Sequence, residues 1–434
     1  MTETTFAVLA LLVLAWAVTS DLLAKANITG PLVFTVAGFV LGNRDWGPLS
    51  VDVDAPSIHL IAELTLAMLL FSDAARVNLS RLKRDIYLPG RLLGIGLPLS
   101  VVLGSLLAAW LFHDFTWALA GFVGAALAPT DAALSAQVIN DQRIPMRLRR
   151  ALNVESGLND GIVTPIVMFT LAVAAGQLGS ANEDGTSTHG GGALLELAVG
   201  VIVGLVVGLG SARLLTFGSR RHWIALGARR LGTLAAALSS FALAVALSGN
   251  GFIAAFVAGV AFRAGLDEDV LDADNAVELP ELLGEILAFV VWFLFGAALA
   301  PTAVHNFDVS LLAYAVLSLT VVRIAPVALS LIGKGLDRRT VVFVGWFGPR
   351  GLASVVFALL AVEELGETEL VGRAVAAVSL TVLLSVALHG ISAGPLGSRY
   401  VRLERADDSS PGPRSRRPAH RQPGATVTRG TNQP

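Results

Sequence analysis

The stretch NVESGLNDG, Asn153 to Gly161, packs a glutamate, a serine, two asparagines and an aspartate against the apolar run IVTPIVMFTLAVAAG. On a helix, Ser156 and Asp160 are i and i+4 and share a face, with Glu155 and Asn159 on the neighbouring one. A second carboxylate, Asp131, follows Pro129 and Thr130 in APTDAALSAQVI. Carboxylates, hydroxyls and the carbonyls freed at a proline form a hard-oxygen donor set, which suits hard cations. One carboxylate holds a proton or a metal cation, not both well, and that competition is enough to exchange one for the other. The plainer alternative is a polar cluster satisfied by its own hydrogen bonds.

Other chemistries have little support. The chain has no cysteine, which excludes disulfides, thiolate metal sites and cysteine nucleophiles. Its seven histidines, at 59, 113, 189, 222, 305, 389 and 420, include no i, i+4 pair and no HExxH, which argues against a zinc site. No serine–lysine dyad or GxGD pair marks a membrane protease. We therefore expect a non-enzyme with no cofactor and no nucleic-acid partner. His389 lies inside an apolar run and reads as a packing residue, with a pH-sensing role as the alternative.

These polar groups sit in a chain of 434 residues that is 54% hydrophobic and 15% charged, with a mean hydropathy of +0.70. Soluble domains carry roughly 25% charged residues. A membrane span needs about 20 mostly apolar residues. Candidate spans fall near 5–22, 29–43, 57–76, 88–112, 115–138, 149–174, 192–217, 230–248, 250–266, 281–302, 308–333, 339–363 and 370–394. The expected fold is an all-α polytopic membrane protein of about thirteen transmembrane helices. Basic clusters at 76–84, 141–150, 213–223, 333–339 and 398–405 follow odd-numbered spans. The positive-inside rule then puts the N-terminus outside and the C-terminus in the cytoplasm. The acidic loop LDEDVLDADNAVELPE, 267–282, lands inside as an exception, and GSANEDGTSTHGGG falls outside. Residues 398–434 are expected to form a disordered cytoplasmic tail.

Ionisable residues inside spans are costly, about 2.5–3.5 kcal/mol each on insertion scales. Asp73, Asp131, Glu155, Asp160, Arg323 and Arg350 occupy such positions. Arg323 is the nearest plausible partner for Glu155, which makes this a packing ion pair rather than part of an ion site. Glu63 and Glu285 lie near span ends and read as interfacial. Pro129 interrupts the fifth span and Gly348-Pro349-Arg350-Gly351 the twelfth, and paired breaks at membrane depth point to a transport site at a repeat interface. The expected plan is a six-helix repeat over 1–174, a linker over 175–229 and an inverted six-helix repeat over 230–397, with the broken fifth helices crossing in the core.

The motifs APTDAALSAQVI, ESGLNDG, SGNGFIAAFVAGVAF, WFLFGAAL, VVRIAPVAL and GWFGPRGLASVVFAL stand in the order found in one family. Over residues 5–397 the chain resembles the monovalent cation:proton antiporter-1 group, the NhaP/NHE-type sodium/proton antiporters. The resemblance implies a homodimer in the cell membrane, exchanging Na⁺ (or K⁺ or Li⁺) for H⁺ by alternating access. It implies that Asp160 is the cation- and proton-binding carboxylate. It places Asp131, Thr130, Ser156 and Asn159 at the other site positions, and Asp73 where some members use an acidic ligand. Asn159, where the electrogenic sister group has aspartate, implies electroneutral exchange. Glu155 and Arg323 match the family's stabilising pair. Arg350 and Gly351 fall on the family's GLRG-like motif, with Pro349 in place of leucine. A K⁺/H⁺ antiporter of the same fold, or an uncoupled cation channel, stays open as an alternative.

Overall fold

The computed structural model describes residues 3–43, 46–49, 56–77, 87–179, 190–267, 269–366 and 368–409. Among these residues every regular element is helical. In chain order we label α1 (Glu3–Lys25), α2 (Gly30–Leu41), α3 (Pro56–Arg76), α4 (Tyr87–Leu111), α5 (Trp117–Ala126), α6 (Ala136–Asn140), α7 (Met146–Leu178) and α8 (Gly190–Arg220). There follow α9 (Leu226–Ala246), α10 (Gly251–Gly265), α11 (Ala273–His305), α12 (Val309–Ser330), α13 (Arg338–Trp346), α14 (Leu352–Leu365) and α15 (Glu369–Ser409). Eight of the described helices are long and apolar enough to cross a membrane, while α2, α5 and α10 are shorter apolar helices.

Local chemistry sets many of the starts. Thr116, Asn250, Asp272, Asp308 and Asp337 each accept a backbone N–H of the helix that follows, the capping contact that satisfies an orphan donor. The fifth expected span is broken between α5 and α6, and the twelfth between α13 and α14. Pro129 and Pro349 lie in those gaps, where a missing N–H forbids a continuous ladder.

Close backbone approach holds part of the bundle. Gly200, Gly204 and Gly208 stand four residues apart on α8, and a side chain at any of them would run into the carbonyls of Asn250, Ala254 and Ala258 on α10. Small residues at this spacing let membrane helices meet backbone to backbone. Near the far end of the chain, Phe343 of α13 stacks on Tyr400 of α15 at 4.3 Å, and the Tyr400 hydroxyl lies 2.9 Å from Thr340 Oγ1.

That second contact corrects the expected tail boundary. Helix α15 continues to Ser409, so 398–409 is helical, with Tyr400 and Val401 buried although their neighbours are basic. Residues 410–434 of the expected tail, most of the 179–192 segment and most of the 76–84 cluster lie outside the described residues.

The acidic stretch at 267–282 is a loop only to Asp272, which caps α11, so the expected loop is corrected: 273–282 form the first turns of that helix. Arg220 pairs with Asp267, Arg230 with Glu278 and Arg76 with Glu281. The loop carboxylate of Asp267 and the Glu278 and Glu281 carboxylates of α11 thus each meet an arginine. The Arg220 guanidinium holds the Asp267 carboxyl below the usual carboxylate range.

Substituting Gly204 by leucine puts a side chain into the Ala254 carbonyl of α10. Overpacking of this kind costs about 1–3 kcal/mol. We expect a matching fall in the unfolding temperature of the detergent-solubilised protein.

Candidate functional site

The two helix breaks cross, and the backbone joins them. The Asp131 N–H donates to the Pro349 carbonyl at 2.9 Å. Each break then supplies a charge to the other. The Asp131 carboxylate accepts the Leu352 N–H at 3.1 Å, at the start of α14, and its other oxygen accepts the Ala133 N–H at 2.7 Å. Arg350 donates from Nη1 to the Ala128 carbonyl and, at 3.1 Å, to the Pro129 carbonyl, just past the end of α5. An anion thus sits at a helix N-terminus and a cation at a helix C-terminus, each opposing the partial charge there. Gly351 is required at this point, because a side chain would occupy the space of the Asp131 carboxylate. The Arg350 N–H is held at 2.7 Å by Ser385 Oγ of α15.

Against this crossing lies the first half of α7. Thr130 Oγ1 is 3.1 Å from Ser156 Oγ. Asn159 Nδ2 donates to Thr130 Oγ1 at 2.7 Å and to the Thr130 carbonyl at 3.3 Å. Thr130, Ser156 and Asn159 are buried, while Asp131, Asp160 and Asp73 are half-buried. Asp73 comes from α3, next to the Gly157 backbone. The helical i, i+4 spacing does put Ser156 and Asp160 on one face, and both line the same cavity.

That cavity encloses about 1470 Å³ and is lined by Thr130, Asp131, Ser156, Asp160 and Asp73. From these groups it reaches Arg76, Arg147 and Arg150, and the exposed Tyr87 and Met146, at one end of the bundle. Trp16, Phe289 and Trp292 form its apolar wall. At the other end of the bundle, His59 of α3 lies 3.1 Å from Glu363 of α14. Among the described residues no three His, Cys, Asp or Glu side chains converge closely enough to form a metal centre. The carboxylates therefore share a cavity without making one tight ligand cluster.

Glu155 points away from the cavity. Both its oxygens accept from Arg323 of α12, at 2.6 and 2.9 Å, and each side chain is 2% exposed. Gly348 makes room for this pair, since a side chain there would overlap the Arg323 guanidinium. His389 sits beside Trp346 with ring centroids 5.0 Å apart, its Nε2 2.9 Å from the Trp346 carbonyl and its Nδ1 3.0 Å from the Ser385 carbonyl. It bridges α15 to the end of α13.

Sequence reasoning missed Arg76 and Glu281, which also line the cavity, and it placed Glu285 at the interface although Glu285 lines the cavity as well. Arg76 carried a signal, being three residues from Asp73 and on its face of α3. Glu281 and Glu285 are i, i+4 on α11, a spacing obscured because 267–282 reads as an acidic loop while the helix starts at Ala273.

Replacing Arg323 by alanine strands the Glu155 charge. Breaking a buried pair from one side costs about 3–5 kcal/mol. We expect a large loss of thermal stability in detergent for Arg323→Ala, and a smaller one when Glu155→Gln and Arg323→Gln are combined.

A helical membrane chain with crossed, charge-compensated breaks above a carboxylate-lined cavity is built as a secondary transporter. The profile described as sodium/hydrogen exchanger, transmembrane, matches residues 8–399, and the chain belongs to this family of monovalent cation:proton antiporters. It is 26% identical to the K(+)/H(+) antiporter NhaP of Alkalimonas amylolytica, over 90% of this chain and 66% of that protein. It is 24% identical to the K(+)/H(+) antiporter NhaP2 of Shewanella sp. (strain MR-4), over 82% of this chain and 60% of that one. The chain thus spans less than two thirds of the length of these relatives. The sodium proton antiporter MjNhaP1 from Methanocaldococcus jannaschii shares its fold, with a TM-score of 0.72 at 20% identity over 92% of this chain and 99% of that one.

Proposed function

We propose that this protein is a secondary antiporter that exchanges a monovalent cation for H⁺ by alternating access, one for one. The observation that carries the reading is the half-buried Asp160 carboxylate, held on α7 beside the crossed breaks and facing a cavity open towards one end. Asp160 is the shared site for cation and proton. Thr130 and Ser156 offer hydroxyl oxygens, and Asp73 a second carboxylate from α3. Asn159 orients Thr130, and Asp131 and Arg350 fix the breaks. Glu155 with Arg323 braces α7 against α12.

In this reading the cation is Na⁺. K⁺ is the second reading, favoured by the names of the Alkalimonas and Shewanella relatives. The cavity ends at Arg76, Arg147 and Arg150, in the basic clusters that the positive-inside rule assigns to the cytoplasm, so the cavity faces inward. The protein works as a homodimer in the cell membrane, with its N-terminus outside. The exposed apolar length of α1, bearing Phe6, Leu11, Leu14 and Val18, supports contact with lipid or a second copy. The two inverted repeats and the linker over 175–229 belong to the same reading.

Reconstituted in liposomes, the wild-type protein is expected to dissipate a pH gradient on addition of Na⁺ or K⁺, and Asp160→Asn to match empty liposomes. Full exchange in that variant would overturn the assignment. Electroneutrality predicts the same wild-type rate whether or not the membrane potential is clamped, and a potential-sensitive rate in Asn159→Asp.

A further inference from the structure

Three charged groups meet on the cavity wall where α3 faces α11. Asp73 and Arg76 are one turn apart on α3, and Glu281 projects from α11. Residues at i and i+3 are helix neighbours and can pair. Arg76 instead donates to Glu281. Asp73 lies within the electrostatic reach of both. The Arg76 and Glu281 side chains are 44% and 33% exposed, so packing does not pin the guanidinium. It is bonded to one carboxyl group, that of Glu281, while a second, that of Asp73, stands one turn away on its own helix.

We infer that Glu281 is a positioning residue that holds Arg76 off Asp73 and so leaves Asp73 open to the transported cation. This rests on the antiport reading, in which Asp73 belongs to the cation path. Arg76 carries a permanent positive charge. Released from Glu281, it becomes a tethered competitor for the carboxylate the travelling cation uses. The competition is modest, because a half-exposed ion pair contributes little. It acts on apparent affinity rather than on the turnover of the loaded carrier.

A neighbouring pair separates this role from ordinary helix bracing. Arg230 of α9 pairs with Glu278, three residues before Glu281 on the same helix, but neither lines the cavity. It ties α11 to a neighbour without reaching Asp73.

The test is a cation titration of exchange in liposomes at fixed pH. Wild type is compared with Glu281→Gln, Arg76→Gln, the double variant and Arg230→Gln, with the thermal stability of each recorded. Glu281→Gln is expected to raise the KM for the cation about 2–5-fold with the maximal rate retained, the range a half-exposed pair can supply. Adding Arg76→Gln is expected to return the KM to that of Arg76→Gln alone, and Arg230→Gln to leave it at the wild-type value. An unchanged KM in Glu281→Gln, or a raised KM that persists in the double variant, overturns the inference. Those outcomes with normal wild-type exchange leave the antiport reading standing. Absence of cation-driven proton flux in the wild type removes both.

Discussion

Hydrocarbon does not tolerate an unopposed charge, and the centre of this protein is arranged around that constraint. Breaking a helix inside the membrane exposes two ends, each with roughly half an elementary charge. The break at Pro129 leaves carbonyls that Arg350 takes, and the break at Pro349 leaves an N–H that Asp131 takes. Each interruption is stabilised by a residue of the other. Neither is stable without the crossing, and the positions of Thr130, Ser156 and Asn159 follow from it. The Glu155–Arg323 pair obeys the same rule one helix away. Its two charges are buried only because they are buried together.

Much of this was legible in the residues, for physical reasons. A proline within an apolar run announces a break. A cation stranded at membrane depth calls for an anion, and Arg323 was the available partner for Glu155, which is where the structure places it. Helical spacing put Ser156 and Asp160 on one face. The use of Asp131 was not legible. Which distant helix end a cavity-lining carboxylate also caps depends on which segments cross, and a single break does not reveal its partner. The helix beyond 398 was hidden because basic residues dominate that stretch, while the aromatic stack on Phe343 that holds it is a long-range contact. The pairing of Asp267, Glu278 and Glu281 with Arg220, Arg230 and Arg76 was hidden likewise, since acidic composition alone says neither where α11 starts nor which groups its carboxylates meet.

Asn159 shows how much one amide can align. Both its contacts run to Thr130, so the neutral side chain aligns the hydroxyl that lies against Ser156. A carboxylate at this position would carry a negative charge and would have no N–H to donate to the Thr130 carbonyl.

Interruptions in helices are usually regarded as joints. Here the interrupted segments are bonded backbone to backbone at Asp131 and Pro349, by the Asp131 carboxylate to the Leu352 N–H, by the Arg350 guanidinium to the Pro129 carbonyl, and to α15 through Ser385. The middle of the bundle is in that sense welded. Bending is therefore resisted at the crossing by these bonds. The place where the chain looks weakest is where it is least able to bend.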